Sequence, residues 1–174
     1  VDTDPDRLDA FCTEWSVPRR YSDLTALLDA ERPDVVTLAT PPGLHAPQAL
    51  ACLERGLTVL CEKPTALNLA EMDAMIAAEQ AGGGRLATVF QHRFGSGAAS
   101  LRHLLASGAA GTPMTAVCDT LWYRPDDYFA VPWRGKWDVE GGGPTMGHGI
   151  HQMDLMLSIL GPWQEVVAVA SRRA

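Results

Sequence analysis

The chain has 174 residues, 47% hydrophobic and 20% charged, with a formal net charge of −7 and a pI of about 5.1. That is the composition of a globular protein of one domain or parts of two, and its negative charge argues against a nucleic-acid or anionic-membrane surface. No apolar run approaches the roughly 20 residues of a membrane helix, no basic-then-apolar stretch marks a secretory signal, and Cys12, Cys52, Cys61 and Cys118 lack metal-ligand spacing, so buried reduced thiols in a cytoplasmic protein are expected.

In chain order, Val1 and Asp2 read as the end of a strand. Asp4 ahead of Pro5 supplies a capping side chain and then a proline at the first helical position, so a helix is expected through about Trp15. Residues 17–21 suggest a very short strand. Ser22 then caps a helix through about Ala30, with Leu24, Leu27 and Leu28 on one face. Residues 34–40 form a buried strand, and Thr40-Pro41-Pro42-Gly43 must turn. A helix from His45 to about Arg55 leads to Thr58–Cys61, an apolar strand expected to be buried on both faces and stopped by Pro64. Asn68 with Glu71 three residues on is a capping box for a helix ending at Gly82-Gly83-Gly84. Residues 85–91 form another strand. Short strands alternating with helices are the pattern of βαβ units in a parallel, doubly wound sheet.

Beyond Gln91 the rhythm changes. A helix near 98–107 precedes a long strand over 114–123 and an aromatic, proline-bearing loop over 124–137. Gly141-Gly142-Gly143-Pro144 introduces a helix over about 145–160, which Gly161-Pro162 stops. Residues 166–170 are again a strand pattern. A domain boundary is expected near 91–95. The first and last segments read as strands without partners, so the chain is expected to be a piece of a longer protein.

Glu62 and Lys63 stand at the carboxyl edge of the Thr58–Cys61 strand, where open α/β sheets bind ligands. The same charges also suit a strand finishing in solvent, and residues 57–64 alone leave the two readings even. Asp2 is placed to bond the ribose hydroxyls of a dinucleotide and to repel a 2′-phosphate, favouring NAD over NADP. A plain loop or capping aspartate is the alternative. The glycine-rich turn that would hold a pyrophosphate is absent. His148, His151 and Asp154 are spaced by three and share roughly one helix face. A zinc site, satisfied core polar groups and a catalytic base all fit that spacing. A histidine beside a lysine suits removal of a proton from a hydroxyl near neutral pH. Trp122, Tyr123, Trp133 and Trp137 crowd one segment with Arg93, Arg124, Arg134 and Lys136. The negative charge disfavours single-stranded nucleic acid there and favours a wall for a polar, ring-shaped ligand, with core packing the alternative.

A set of words in fixed order resembles the Gfo/Idh/MocA oxidoreductases over essentially the whole chain. They are Ala39-Thr40-Pro41-Pro42 with His45, Gly56 through Cys61-Glu62-Lys63-Pro64, and Gln91-His92-Arg93-Phe94. Then come Trp133-Arg134-Gly135, Gly141-Gly142-Gly143, and Gly149-Ile150-His151 with Asp154. The resemblance implies an NAD-dependent enzyme, NADP being less favoured. It implies a partial Rossmann domain over 1–92, lacking its first strand. Residues 93–174 would begin an α+β domain with a mostly antiparallel sheet, which often mediates dimerisation. The implied chemistry is hydride transfer between nicotinamide and a hydroxyl carbon of a sugar, inositol or related polyol. The implied setting is a cytoplasmic homo-oligomer with no nucleic-acid, membrane or metal partner. By position, Lys63 and His151 are the catalytic pair. Asp2, Thr40, Pro41, Pro42, His45, Glu62, Lys63, Gln91, Arg93, Trp133 and Arg134 fall to the cofactor. His148, Asp154 and Tyr123 fall to the substrate.

One departure matters. Many dehydrogenases of the family carry an aspartate four residues before the histidine, and Gly147 stands there. Losing an acid–base partner costs about 10²–10⁴-fold in rate. Gly147 favours the alternative of a dinucleotide-binding regulator, and the resemblance leaves an NAD-dependent glycoside hydrolase as a further one. Without a first strand to share, the isolated 174 residues are expected to be poorly stable and to bind NAD weakly or not at all.

Overall fold

The computed structural model describes residues 1–171. Its two opening helices form where side chains answer the orphan amides of a first turn. Asp4 accepts from the backbone N–H of Asp6 and Arg7 ahead of Pro5–Glu14 (α1). Asp23, rather than Ser22, accepts from Ala26 N–H at 2.9 Å ahead of Leu24–Ala30 (α2). The short strand expected over 17–21 does not form. Val17 N–H is spent on Cys12 O at 2.8 Å, closing α1, and Pro18 has no N–H to offer. A single bond from Asp2 N–H to Tyr21 O, 3.3 Å, is what joins that stretch to the amino terminus.

Three four-residue strands follow, Val35–Leu38 (β1), Thr58–Cys61 (β2) and Arg85–Thr88 (β3). They make a parallel sheet in the order β1-β2-β3, with Val36 opposite Val59 and Val59 opposite Leu86. Parallel neighbours need long crossovers. His45–Leu53 (α3) and Leu69–Gly82 (α4) supply them. Asn68 accepts from Glu71 N–H at 3.0 Å, and the Glu71 carboxylate reaches back to Leu67 N–H at 2.8 Å. The expected capping box is therefore present, one residue wider than usual. Gly84 lets β3 begin against the end of α3, since a Cβ there would sit 2.6 Å from the Leu57 carbonyl oxygen.

Ala49, Cys52, Leu53, Val59, Cys61 and Met75 are fully buried and form the centre of the core. β2 is not buried on both faces, as expected from its composition. Val59 and Cys61 point into the core, while Leu60 on the other face is 39% exposed. The helices α3 and α4 pack on the first face, and no described residue covers the second as fully. β1 and β3 are each shorter than expected. Both continue as extended chain: Glu62 N–H bonds Leu38 O at 2.9 Å and Val89 N–H bonds Cys61 O at 2.8 Å.

After β3, a 3-10 turn at Gln91–Phe94 leads into Ser96–Ala106 (α5), which starts two residues earlier than expected. The strands expected over 114–123 and 166–170 join no ladder among the described residues, and so no antiparallel sheet is formed there. Their alternation makes extended chain, but a strand needs a partner for its amides. Leu121 is 88% exposed in consequence. Cys118 lies in the same stretch and is exposed, against expectation, while Cys12, Cys52 and Cys61 are buried. Asp126–Phe129 (α6) and Trp137–Glu140 (α7) interrupt the aromatic loop. The expected helix over 145–160 is a π-helical turn, Thr145–Gly149, running into Ile150–Leu160 (α8). No helix among the described residues is long and apolar enough to cross a membrane.

Candidate active site

The carboxyl ends of β1, β2 and β3 bring Thr40-Pro41-Pro42, Glu62-Lys63-Pro64 and Gln91-His92-Arg93 to one edge of the sheet. His45, the first residue of α3, ties the first two together. Its Nδ1 lies 2.8 Å from the Pro64 carbonyl oxygen and its Nε2 2.7 Å from that of Thr40. The ring is buried and both nitrogens are engaged, so His45 acts by holding the walls of the cleft. The Thr40 hydroxyl is likewise spent, donating to Gln48 Oε1 at 2.6 Å. His45→Ala would open a cavity and strip both carbonyls of their partner. We expect it to lower stability by about 3 kcal/mol in urea unfolding. A loss below about 1 kcal/mol would contradict that tying role.

Lys63 is half-buried, and its Nζ donates to the carbonyl oxygen of Gly147 at 2.6 Å. The residue lacking a side chain thus meets the lysine through its backbone. A Cβ on Gly147 would meet nothing within 4 Å, so the space beside Lys63 is open. Burial holds the Lys63 ammonium below its ordinary pKa. The Glu62 carboxylate opposes that shift, and Arg134 assists it.

His151 is 4% exposed and stacks on His92 with ring centroids 4.6 Å apart. Its Nδ1 has no hydrogen-bond partner among the described residues. Burial, and then the charge of Lys63, pushes its pKa down to about 4. His151 is therefore a neutral imidazole at pH 7, able to accept a proton. His148 accepts a hydrogen bond at Nε2 from Arg124 Nε at 2.9 Å, which also requires a neutral ring. Burial first, then Arg124 and Lys63, lower its pKa in the same sense.

The rest of the sequence-derived set divides. Asp154 is buried and takes a bidentate pair from Arg93, through Nε at 2.7 Å and Nη2. These two residues fasten α8 to the turn after β3; the Asp154 carboxylate is spent on the pair, while Arg93 keeps Nη1 outside it. The His148, His151, Asp154 spacing does not converge on an ion. No group of three His, Cys, Asp or Glu side chains among the described residues could hold a metal. Tyr123 is 85% exposed. Extended chain alternates its side chains, so Trp122 and Arg124 share one face and Tyr123 takes the other. Gln91 is exposed. Asp2 accepts from Asp4 N–H at 2.9 Å, and Arg7 comes back along the first turn to 3.7 Å from it. Trp133 and Tyr128 both carry the Arg134 guanidinium, at 4.6 and 4.1 Å from their ring centres.

Thr40, Pro42, Glu62, Lys63, Trp133 and Arg134 line a cavity of about 240 Å³, together with Tyr128, Glu140 and Gly147. That is below the roughly 300–1,000 Å³ of a whole ligand site. It suits one end of a dinucleotide, the nicotinamide, beside a lysine. A larger cavity of about 360 Å³ lies near Pro33, ahead of β1 at the amino ends of the strands. Arg19 and Tyr21 there both engage Glu31. Tyr128 and Glu140 are site residues that the sequence does not single out; the basic–aromatic spacing of 122–137 encloses Tyr128, and no local signal marks Glu140.

Residues 1–90 match the Gfo/Idh/MocA oxidoreductase family, NAD-binding Rossmann fold, and residues 98–174 match the Gfo/Idh/MocA C-terminal domain. The chain is 30% identical over 180 residues to the D-apiose dehydrogenase of Paraburkholderia graminis, covering 98% of this chain and 44% of that protein. It is 32% identical over 144 residues to the D-glucoside 3-dehydrogenase of Escherichia coli, covering 81% and 40%. The WlbA dehydrogenase of Bordetella pertussis, solved with NADH and UDP-GlcNAcA, superposes with a TM-score of 0.86 at 33% identity, over 92% of this chain and 46% of that one. The chain thus spans a little under half the length of these relatives. It belongs to the Gfo/Idh/MocA family of oxidoreductases, with the NAD-binding Rossmann fold in its first half.

Proposed function

We propose that the protein carrying this chain is an NAD-dependent dehydrogenase acting on a hydroxyl carbon of a sugar, inositol or related polyol. The observation that carries this reading is Lys63. It stands at the carboxyl end of β2, drawn toward neutrality by burial and held by the Gly147 carbonyl beside a neutral His151. A regulator that only binds the dinucleotide has no need of a half-desolvated lysine next to an unpaired imidazole nitrogen.

When bound, NAD supplies the hydride acceptor. Thr40, Pro42, Trp133 and Arg134 would hold its nicotinamide end, and Asp2 its ribose, as the cavity and the half-buried Asp2 carboxylate allow. Neutral Lys63 accepts the substrate's hydroxyl proton at Nζ while the C–H electron pair leaves as hydride, so the carbon becomes a carbonyl. His151 takes or relays the proton at Nδ1. Pro41, His45, Glu62, Gln91 and Arg93 complete or brace the cofactor side. His148 faces the substrate.

The division into 1–92 and 93–174 belongs to the same proposal, with the 3-10 turn Gln91–Phe94 at the junction. The exposed apolar chain over 114–123 and 166–170 supports a mostly antiparallel sheet and a homo-oligomer for the whole protein. The net charge of −7 supports a partner that is neither nucleic acid nor membrane. Four free cysteines support a cytoplasmic setting.

The test is NADH absorbance on the full-length protein with a panel of sugars and inositols. Oxidation should have kcat/KM rising with pH, because the base is the deprotonated form of Lys63. The lowered pKa moves that rise from the free-lysine range toward neutrality. His151 is already neutral above about pH 4 and adds no limb near 6.5. A profile governed by a step near 6.5 would hand the titration to a histidine and overturn the assignment.

A further inference from the structure

We propose that the substrate carries an acidic group, a carboxylate or a phosphate, and that Arg124 grips it. The proposal rests on the dehydrogenase reading above and deepens it. Arg124 is half-buried in a stretch where Tyr123 and Pro125 are exposed. Its guanidinium carbon lies 5.3 Å from the Trp122 ring centre and 4.8 Å from that of Tyr128, and Nε donates to His148. Those contacts orient the guanidinium plane without neutralising it. Arg7, Arg19, Arg20, Arg55, Arg85 and Arg93 each have a carboxylate partner. Arg124, like Arg32, Arg102 and Arg134, has none among the described residues, but it alone of these stands beside His148. Its terminal nitrogens are a free fork, the geometry that binds a carboxylate or phosphate through two parallel hydrogen bonds.

The fork is in the right place. Trp122, which carries it, also lies 5.8 Å from the His148 ring and 6.4 Å from that of His151. That is the histidine side of Lys63, where a substrate must lie to hand its hydroxyl proton to Lys63 or His151. Thr40, Pro42 and Trp133 line the cavity suited to nicotinamide. The local charge does not oppose an acid: Arg124 and Arg134 balance Glu62 and Glu140 near the cavity, so with Lys63 neutral the cleft lacks the negative excess of a molecule of net −7. Gly147 adds no acid and leaves open space beside Lys63.

The test uses the full-length protein with NAD and three kinds of substrate: hexuronates (D-glucuronate and D-galacturonate), a hexose phosphate (D-glucose 6-phosphate), and the neutral parent hexoses. One acidic class should exceed its neutral parent in kcat/KM, and whichever does identifies carboxylate or phosphate. In Arg124→Met that acid-to-neutral ratio should fall about 30-fold, mostly through KM, and Arg124→Lys should recover part of it. The ratio is insensitive to loss of folded enzyme. Calorimetric titration of the same acids into the protein with NADH is read in parallel. Arg124-dependent binding without turnover upholds the acidic ligand and sinks the dehydrogenase reading. Turnover of neutral polyols with a ratio unmoved by Arg124→Met does the reverse. Preference for the neutral parents, or no binding of either acid, overturns the proposal.

Discussion

Lys63→Met is expected to lower kcat/KM of the full-length protein by about 10³-fold while NADH binding, followed by fluorescence, stays within about threefold. A positioned general base contributes about 10²–10⁴-fold. Lys63 sits toward the upper part of that range, because the next proton acceptor, His151, is a weak base held down at about 4. Methionine keeps the length and apolar stem of the lysine and removes the ammonium. The Gly147 carbonyl loses its 2.6 Å donor, and one half-buried charge no longer has to be desolvated. These effects oppose each other, so stability should change by no more than about 1 kcal/mol. A variant that keeps more than a tenth of the activity would remove Lys63 from the chemistry. One that also loses NADH binding would make it a cofactor anchor instead.

Lys63 could be found in the sequence because its surroundings are local. A short apolar strand and a proline that cannot continue it place an acid and a base at a sheet edge, whatever the rest of the chain does. The βαβ order was legible for the same reason: strands closed by Pro or Gly and helices marked by Asp4, Asn68 and Gly83. The partners of these residues were not legible. Lys63 meets Gly147 across 84 positions and Arg93 meets Asp154 across 61, and neither contact leaves a periodic mark. That is why the fastening of α8 by Asp154 and Arg93 could not be read beside their ligand roles. His45 stands among cofactor words, yet it is buried and turned onto two carbonyls, and its burial depends on the approach of β2 and its trailing Pro64. The stretch 114–123 has the alternation of a strand, but pairing depends on another segment, and no described residue supplies one.

His151→Phe separates function from stability more sharply than any other change to this site. The imidazole is almost wholly enclosed, with Nδ1 unpartnered, and an unpaired buried polar atom costs about 1–3 kcal/mol. Phenylalanine removes that cost and keeps the stacking on His92 and the edge contact with Phe90, at the expense of some added volume. Stability at neutral pH should therefore end within about 1 kcal/mol of the parent, or above it, while turnover falls about 10²–10⁴-fold. The pH dependence supplies a second signature. His151 titrates at about 4 when folded and near 6.5 when unfolded, so between those values the unfolded chain binds a proton that the folded one does not. Stability in that window rises with pH and is lost as pH falls from about 6.5 toward 4. His151→Phe should flatten this part of the curve in urea titrations from pH 4 to 7. A variant that is strongly destabilised at pH 7, or whose acid sensitivity is unchanged, would mean that the ring is held for packing. Catalytic loss with the acid sensitivity relieved would mean that the fold tolerates an unsatisfied imidazole for the proton it can take.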